Sequence, residues 1–265
     1  MKILVSNDDG IYSSGLWALV KRLKEVGEVV VVAPDREQSA TGTQVTLRQP
    51  LRVQKTHPLI PGIEAYSVEG SPCDCVIMGL AKLITEPVDL VVSGINHGLN
   101  LGDDVLISGT VGAALQGYLR NIPSIAISIP VTAEEPENLD SAACITAEIA
   151  CRIQSGHISK NSFLNINTPD LPLSKINELR VTPLAHKTHI ETVEEGHDGR
   201  KRYFWLRRRQ LSPADNNETD IWAVENGLIS ISALHERLFQ QPPFMLEDTE
   251  TADILASARA IQDII

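Results

Sequence analysis

The sequence predicts an α/β fold: a mostly parallel sheet with helices on both faces, followed by a C-terminal antiparallel appendage. Three observations predict it. Near-continuous Val/Ile/Leu runs recur at 2–6, 28–33, 88–92, 124–129 and 163–166. Helical patterns lie between most of them, near 14–25, 72–84, 110–120 and 139–154. After about residue 175 the alternation stops, and short strand-like runs separated by turn residues take over. Apolar strands alternating with helices indicate a parallel sheet covered on both faces.

The elements follow in order. Ile3-Leu4-Val5 is a short β-type run and reads as a buried first strand. Leu16, Leu19, Val20 and Leu23 share one face of a helix. The stretch 28–33 is a second buried strand, and 88–92, 124–129 and 163–166 complete the set. Beyond the core, 179–181, 203–206, 220–224 and 228–231 read as strands, with Glu225-Asn226-Gly227 as a hairpin signal. The stretch 186–201, rich in His, Glu and Gly, reads as a loop, and 247–265 as an amphipathic helix. The expected organisation is a core over 1–175, an arm over 176–246 and a terminal helix over 247–265.

Composition narrows the function classes. The chain has 265 residues, 43% of them hydrophobic, as in ordinary soluble proteins. No run approaches the roughly 18 apolar residues of a membrane span. The N-terminus lacks the pattern of a signal peptide. The expected location is therefore the cytoplasm. A net charge of −11 argues against broad or sequence-specific nucleic-acid binding. It leaves small phosphorylated substrates open, because a metal ion can reverse the local sign. Cys73, Cys75, Cys144 and Cys151 lack the spacing of a zinc or redox motif and read as small buried residues.

Chemistry concentrates in four polar clusters placed after predicted strands or opening a helix. Asn7-Asp8-Asp9-Gly10 follows the first strand, and 34–39 follows the second. Ser93 to Asn100 follows the 88–92 strand, and Ser108-Gly109-Thr110 opens a helix. Ligands of open α/β sheets bind at the carboxyl ends of the strands, where such clusters converge. Two carboxylates about 4 Å apart repel by about 4 kcal/mol at an effective dielectric of 20, and a divalent cation offsets that. Asp8 and Asp9 supply hard oxygens for Mg²⁺ or Mn²⁺, with Ser39 and Asn96 as neutral additions. Ser108-Gly109-Thr110 suits a phosphate at a helix start. Each piece also has a plain structural reading: an Asx turn at Asn7, a turn hydroxyl at Ser39, turn residues at Asn96 and Asn100, an N-cap at Ser108 or Thr110. His97 serves catalysis or simply faces solvent. His186 and His189 have ligand-like spacing but no helix to present them. No dinucleotide or Walker motif is present.

The run from Val5 to Ile11, Ala33-Pro34 with Gln38-Ser39, the run from Ser93 to Asn100 and the run from Ser108 to Ala114 together resemble the SurE family of stationary-phase survival proteins. These are metal-dependent phosphatases of nucleoside 5′- and 3′-monophosphates. The likeness continues through 165–169 and Thr219-Asp220 and spans about nine-tenths of the chain. It implies a Rossmann-like core and an arm exchanged within a homodimer or homotetramer. It implies one divalent ion per subunit, held by Asp8, Asp9, Ser39 and Asn96, with Asn100, Ser108, Gly109 and Thr110 lining the phosphate pocket. Asp8 and Asp9 would be the catalytic carboxylates, acting by direct hydrolysis or through a phosphoaspartyl intermediate. Two departures from the family pattern stand out: Ile107 replaces a usual Tyr, and Ser232-Ala233 replaces a usual Thr-Pro. Two other functions fit the residues: a non-catalytic nucleotide- or phosphate-binding regulator, and an RNA-end or polyphosphate phosphatase. The latter draws on 199–209, where six basic residues accompany three aromatics.

Overall fold

The first strand, β1 (Lys2–Ser6), is buried from Ile3 onward and pairs in parallel with a strand on each side. These are β2 (Glu28–Pro34) and β5 (Leu90–His97). The structure is a computed structural model that describes residues 1–131, 137–186, 189–210, 218–234 and 248–262. Further strands are β3 (Val53–Lys55), β4 (Glu64–Val68), β6 (Ser124–Ile129), β7 (Phe163–Asn167), β8 (Leu179–Val181) and β11 (Ile229–Ala233). The nine together form one sheet in the order β3-β4-β2-β1-β5-β6-β7-β11-β8. Only β3 on β4 and β11 on β7 are antiparallel. The chain leaves β1 toward β2 and later returns to β1's other side as β5. That reversal marks the ligand crevice of open α/β sheets.

Helices cover both faces. Helices α1 (Ser14–Leu23), α4 (Leu139–Ser155) and α6 (Asp248–Gln262) share one apolar cluster with Ile3, Val5 and Val92. The apolar side of α1 is the expected one, with Leu16, Leu19, Val20 and Leu23 buried. Arg22 joins its last turn to Asp140 of α4 through two hydrogen bonds of 2.9 and 2.7 Å. On the opposite face, α2 (Pro72–Met78) packs with Leu4, Val30 and Val32. Ser71 and Asp74 form a capping box at its start. Helix α3 (Gly109–Tyr118) lies beside it, with Ala113 in the same cluster. The terminal helix docks through Ile254, Leu255 and Ala258, all buried.

Three expectations for the C-terminal third change. The stretch 220–224 is not a strand: it is helix α5 (Asp220–Glu225), capped by Thr219, which accepts from Trp222 N at 3.4 Å. Glu225-Asn226-Gly227 therefore ends a helix and opens no hairpin, and Gly227 has φ +73°. The stretch 186–201 is largely strand β9 (His189–His197), paired with β10 (Arg202–Gln210) in a separate antiparallel hairpin. Within 176–246, β8 and β11 belong to the main sheet, and the element that stands off it is this hairpin. Of the C-terminal helix, the residues 263–265 lie outside those described, as do 132–136, 187–188, 211–217 and 235–247.

Cys73, Cys75 and Cys144 are buried and Cys151 half-buried, none in a disulfide. Burial pushes the Cys73 thiol up to about 12, so it is inert as a nucleophile. No helix among the described residues is long and apolar enough to cross a membrane.

Candidate active site

Asp8 lies directly beyond β1, 4% exposed, and is held by the start of α3. The Thr110 hydroxyl donates to Asp8 Oδ1 at 2.5 Å. The Thr110 backbone N–H favours the charged carboxylate as well. A Cβ at Gly109 would stand 3.0 Å from both Cβ and Oδ2 of Asp8, so glycine lets helix and carboxylate meet. The Asp8 carbonyl accepts from Gln38 N at 2.7 Å, drawing the loop after β2 to the same edge. Asn7 Nδ2 donates to Gly10 O at 2.9 Å, tying its side chain across the turn at Gly10, which has φ +99°.

Asp9 faces the other neighbour. Its Oδ2 accepts from His97 N at 3.2 Å, at the end of β5. Burial raises both carboxyls above their ordinary value of 3.8. Asp8 reaches about 7, chiefly from burial, with Asp9's charge adding and Thr110 opposing. For Asp9, burial outweighs the lowering influence of His97. A carboxylate pair that resists ionisation is suited to a cation, which restores both charges.

The other expected residues sit as follows. The Ser39 hydroxyl donates to Glu37 Oε1 at 2.7 Å on an exposed loop. Asn96 is 9% exposed, and its Nδ2 donates to Gly98 O at 2.6 Å, closing the turn after β5. Ser108 is the N-cap of α3 and accepts from Val111 N at 3.1 Å. Asn100 is anchored inward, its N donating to Asn167 Oδ1 at 2.9 Å and its Nδ2 to Ser128 Oγ at 2.8 Å. Its carbonyl accepts from Asn165 Nδ2 at 2.8 Å and Asn167 Nδ2 at 3.1 Å. Direct contacts thus join Asp8 to Gly109 and Thr110, and Asp9 to the strand end beside Asn96. Ser39 is tied to Asp8 only through its neighbour Gln38. His97 Nε2 lies 3.5 Å from Ser14 Oγ.

The donor set suits a hard divalent cation. No group of three or more His, Cys, Asp or Glu suited to a metal occurs among the described residues. An ion at the Asp pair would therefore rest on two carboxylates and neutral oxygens. Three neutral oxygens, Ser6 Oγ at the end of β1, Asn7 Oδ1 just after it and Ser93 Oγ within β5, are buried without a hydrogen-bond partner among the described residues. Ser6 and Ser93 are register partners across β1 and β5. The polar content of β1's end was legible; 165–169 and Thr219-Asp220 stood out only through the resemblance, since nothing local marks Asn165, Asn167 and Asp220 as reaching Asn100 and Gly102.

Comparison with known proteins bears directly on this edge. The family model for Survival protein SurE matches residues 3–191. A relative called 5′-nucleotidase SurE, from Dehalococcoides mccartyi, is 98% identical over the full length of both chains. Another of that name, from Citrifermentans bemidjiense, is 44% identical and covers 89% of this chain and 93% of its own. The crystal structure of the SurE protein from Aquifex aeolicus superposes with a TM-score of 0.74 at 35% identity. It covers 89% of this chain and 93% of that one. With the family's profile matched over most of the chain and its fold reproduced, this chain belongs to the SurE family.

Proposed function

We propose that this chain is a divalent-metal-dependent phosphatase that hydrolyses nucleoside 5′- or 3′-monophosphates to nucleoside and phosphate. The observation that carries the reading is the Asp8–Asp9 pair at the sheet's crossover point, Asp8 buried and braced by the N-terminus of α3, Asp9 half-buried beside it. Relatives at 88–98% identity over the whole chain bear the name 5′-nucleotidase SurE, which supports the 5′ activity. Asp8, Asp9, Ser39 and Asn96 would hold one Mg²⁺ or Mn²⁺. Such an ion supplies charge for the phosphoryl oxygens, whose developing negative charge is the main barrier.

The protein's own groups do the rest. Asp8, fixed by Thr110, supplies a counter-charge at the helix start once it is ionised. Asp9 is the more accessible carboxylate, and with Oδ2 engaged by His97 N its Oδ1 orients the attacking water and accepts its proton. The Gly109 N–H and the Ser108 hydroxyl proton, aimed from the first turn of α3, bind phosphoryl oxygens. Asn100, held by Ser128, Asn165 and Asn167, would line the pocket as well.

The hairpin β9–β10 leaves Val193, Tyr203, Phe204, Trp205 and Leu206 between 47% and 75% exposed. A free two-stranded hairpin buries too little to justify such residues, so a second subunit would cover them in a homodimer or homotetramer. The RNA-end reading is weakened here. Arg202 and Arg207 of the basic stretch pair with Glu195 and Glu194 across the hairpin.

Phosphate release from AMP and 3′-AMP with Mn²⁺ or Mg²⁺, with and without a chelator, tests the function. Metal-dependent release is expected. Tight nucleotide binding with no release would establish the non-catalytic regulator instead.

A further inference from the structure

We infer that Asp220 is a positioning residue for the nucleotidase pocket: from α5 it fixes the turn that carries Asn100. The inference rests on the nucleotidase reading above. Asp220 is fully buried, and its carboxylate accepts three backbone N–H groups. Oδ2 accepts from Gly102 N at 2.7 Å, from a turn 118 residues earlier in the chain. Oδ1 accepts from Ala185 N and Ile221 N, each at 2.9 Å. Burying a carboxylate is costly, and three backbone donors are what makes it tolerable.

The same helix provides an apolar seat for the turn. Leu101, Ala185, Ile221 and Val224 form one small cluster, with Leu99 packed against it. Leu99 and Leu101 flank Asn100 in sequence. Both are drawn toward α5, while Asn100 turns the other way, to Ser128, Asn165 and Asn167. The backbone of 99–102 is therefore gripped from two sides. Asp220 supplies the polar half of the grip on the α5 side.

The chemistry requires a carboxylate. Both oxygens accept, and both face N–H donors. An asparagine of the same shape would satisfy Ala185 and Ile221 with its oxygen but present an NH₂ to Gly102 N–H. Asp220→Asn thus cuts one bond selectively. Thr219→Ala is the control: it loosens the cap of the same helix and leaves the Gly102 bond in place.

Hydrogen exchange at the Gly102 amide and phosphate release from a nucleoside 5′-monophosphate are measured on both full-length variants. For Asp220→Asn, Gly102 exchange should accelerate and kcat should fall by about 10- to 100-fold, the scale of a small misplacement of binding groups. Mn²⁺ affinity should stay at the wild-type value, because the Asp pair is untouched. Thr219→Ala should keep both Gly102 protection and kcat. Wild-type Gly102 exchange or wild-type kcat in Asp220→Asn overturns the proposal. So does an equal loss of kcat in Thr219→Ala at matched melting temperature. Should Asp220→Asn fail to fold, Leu101→Ala frees the same turn from its seat, and wild-type kcat there refutes the role. Failure of the wild-type enzyme to release phosphate would refute the nucleotidase reading alone, since Gly102 exchange still reports on Asp220.

Discussion

The hydroxyl of Thr110 and the carboxylate of Asp8 meet at 2.5 Å, joining the first turn of α3 to the end of β1. The helix start expected to receive a phosphate therefore already carries an anion of the protein's own. The N-terminal partial charge of α3 stabilises Asp8, and Asp8 in turn serves a cation. Thr110→Val keeps the shape and removes the hydroxyl bond. Since that bond holds the Asp8 carboxyl down, its loss should raise it further. The acid limb of the kcat/KM profile should move to higher pH, and an unmoved limb would separate Thr110 from the titrating group.

Asp8→Asn and Asp9→Asn should each lower phosphate release by about 10²- to 10³-fold or more, the scale of losing a preorganised polar group at the reacting centre. Metal-free stability should hold or rise, because one member of a like-charged pair disappears. Steady-state assays with calorimetry on both variants decide it, and near-wild-type turnover at saturating metal would remove the Asp pair from the site.

The pH dependence has a definite sign. Folded Asp8 titrates at about 7, against 3.8 for the ordinary group. Between these values the folded state keeps a proton that the unfolded state has released. Its contribution to stability is full below about pH 4 and is lost as pH rises toward 7. Metal-free wild type minus Asp8→Asn should show this slope in thermal melts. At pH 6, Mn²⁺ binding should release a proton, visible as a buffer-dependent heat in titration calorimetry.

Ser39→Ala and Asn96→Ala should differ. Ser39 is exposed on its loop, so its removal should weaken Mn²⁺ affinity and leave kcat intact at excess metal. Asn96 also closes the turn to Gly98 at 2.6 Å, so excess metal should restore binding but not turnover. Metal titrations of activity for the two variants make the comparison, and full rescue of Asn96→Ala would reduce it to a ligand alone.

Removal of 189–210 with a short linker should leave a folded core and break up the assembly. Light scattering should report a dimer or larger species for the intact chain and a smaller one after the deletion. A monodisperse intact monomer would refute the shared-hairpin arrangement without touching the active site.

The parallel core was readable because its strands are apolar on both faces, and β1, β2, β5, β6 and β7 lie where the Val/Ile runs fall. Strands β3 and β4 escaped notice: they are short, and Glu64-Ala65-Tyr66-Ser67-Val68 mixes charge with apolar residues one strand in from the sheet's edge. The 220–224 run misled through its Ile, Trp and Val, although Thr219 and Asp220 together are a helix-start signal. Strand β9 is mostly polar, with Ile190 and Val193 its only large apolar residues, and exists by pairing with β10, which no local pattern announces. At the site, the Asp pair was legible from its own chemistry. Its bond to Thr110 spans 102 positions, and the one from Asp220 to Gly102 spans 118. Contacts of that range are set by sheet order, not by neighbours in the chain.

The sheet order also governs how the protein can be made. Among the described residues, strand β8 joins the sheet only through β11, which slots between it and β7. A chain emerging from the ribosome therefore holds 179–181 in hand until 229–233 arrives, and meanwhile the outer rim of β7 has open N–H and C=O groups. Such a rim is a template for pairing with the wrong chain. Release from this hazard comes late in synthesis, when the antiparallel return of β11 seals β7 and docks β8 in one step.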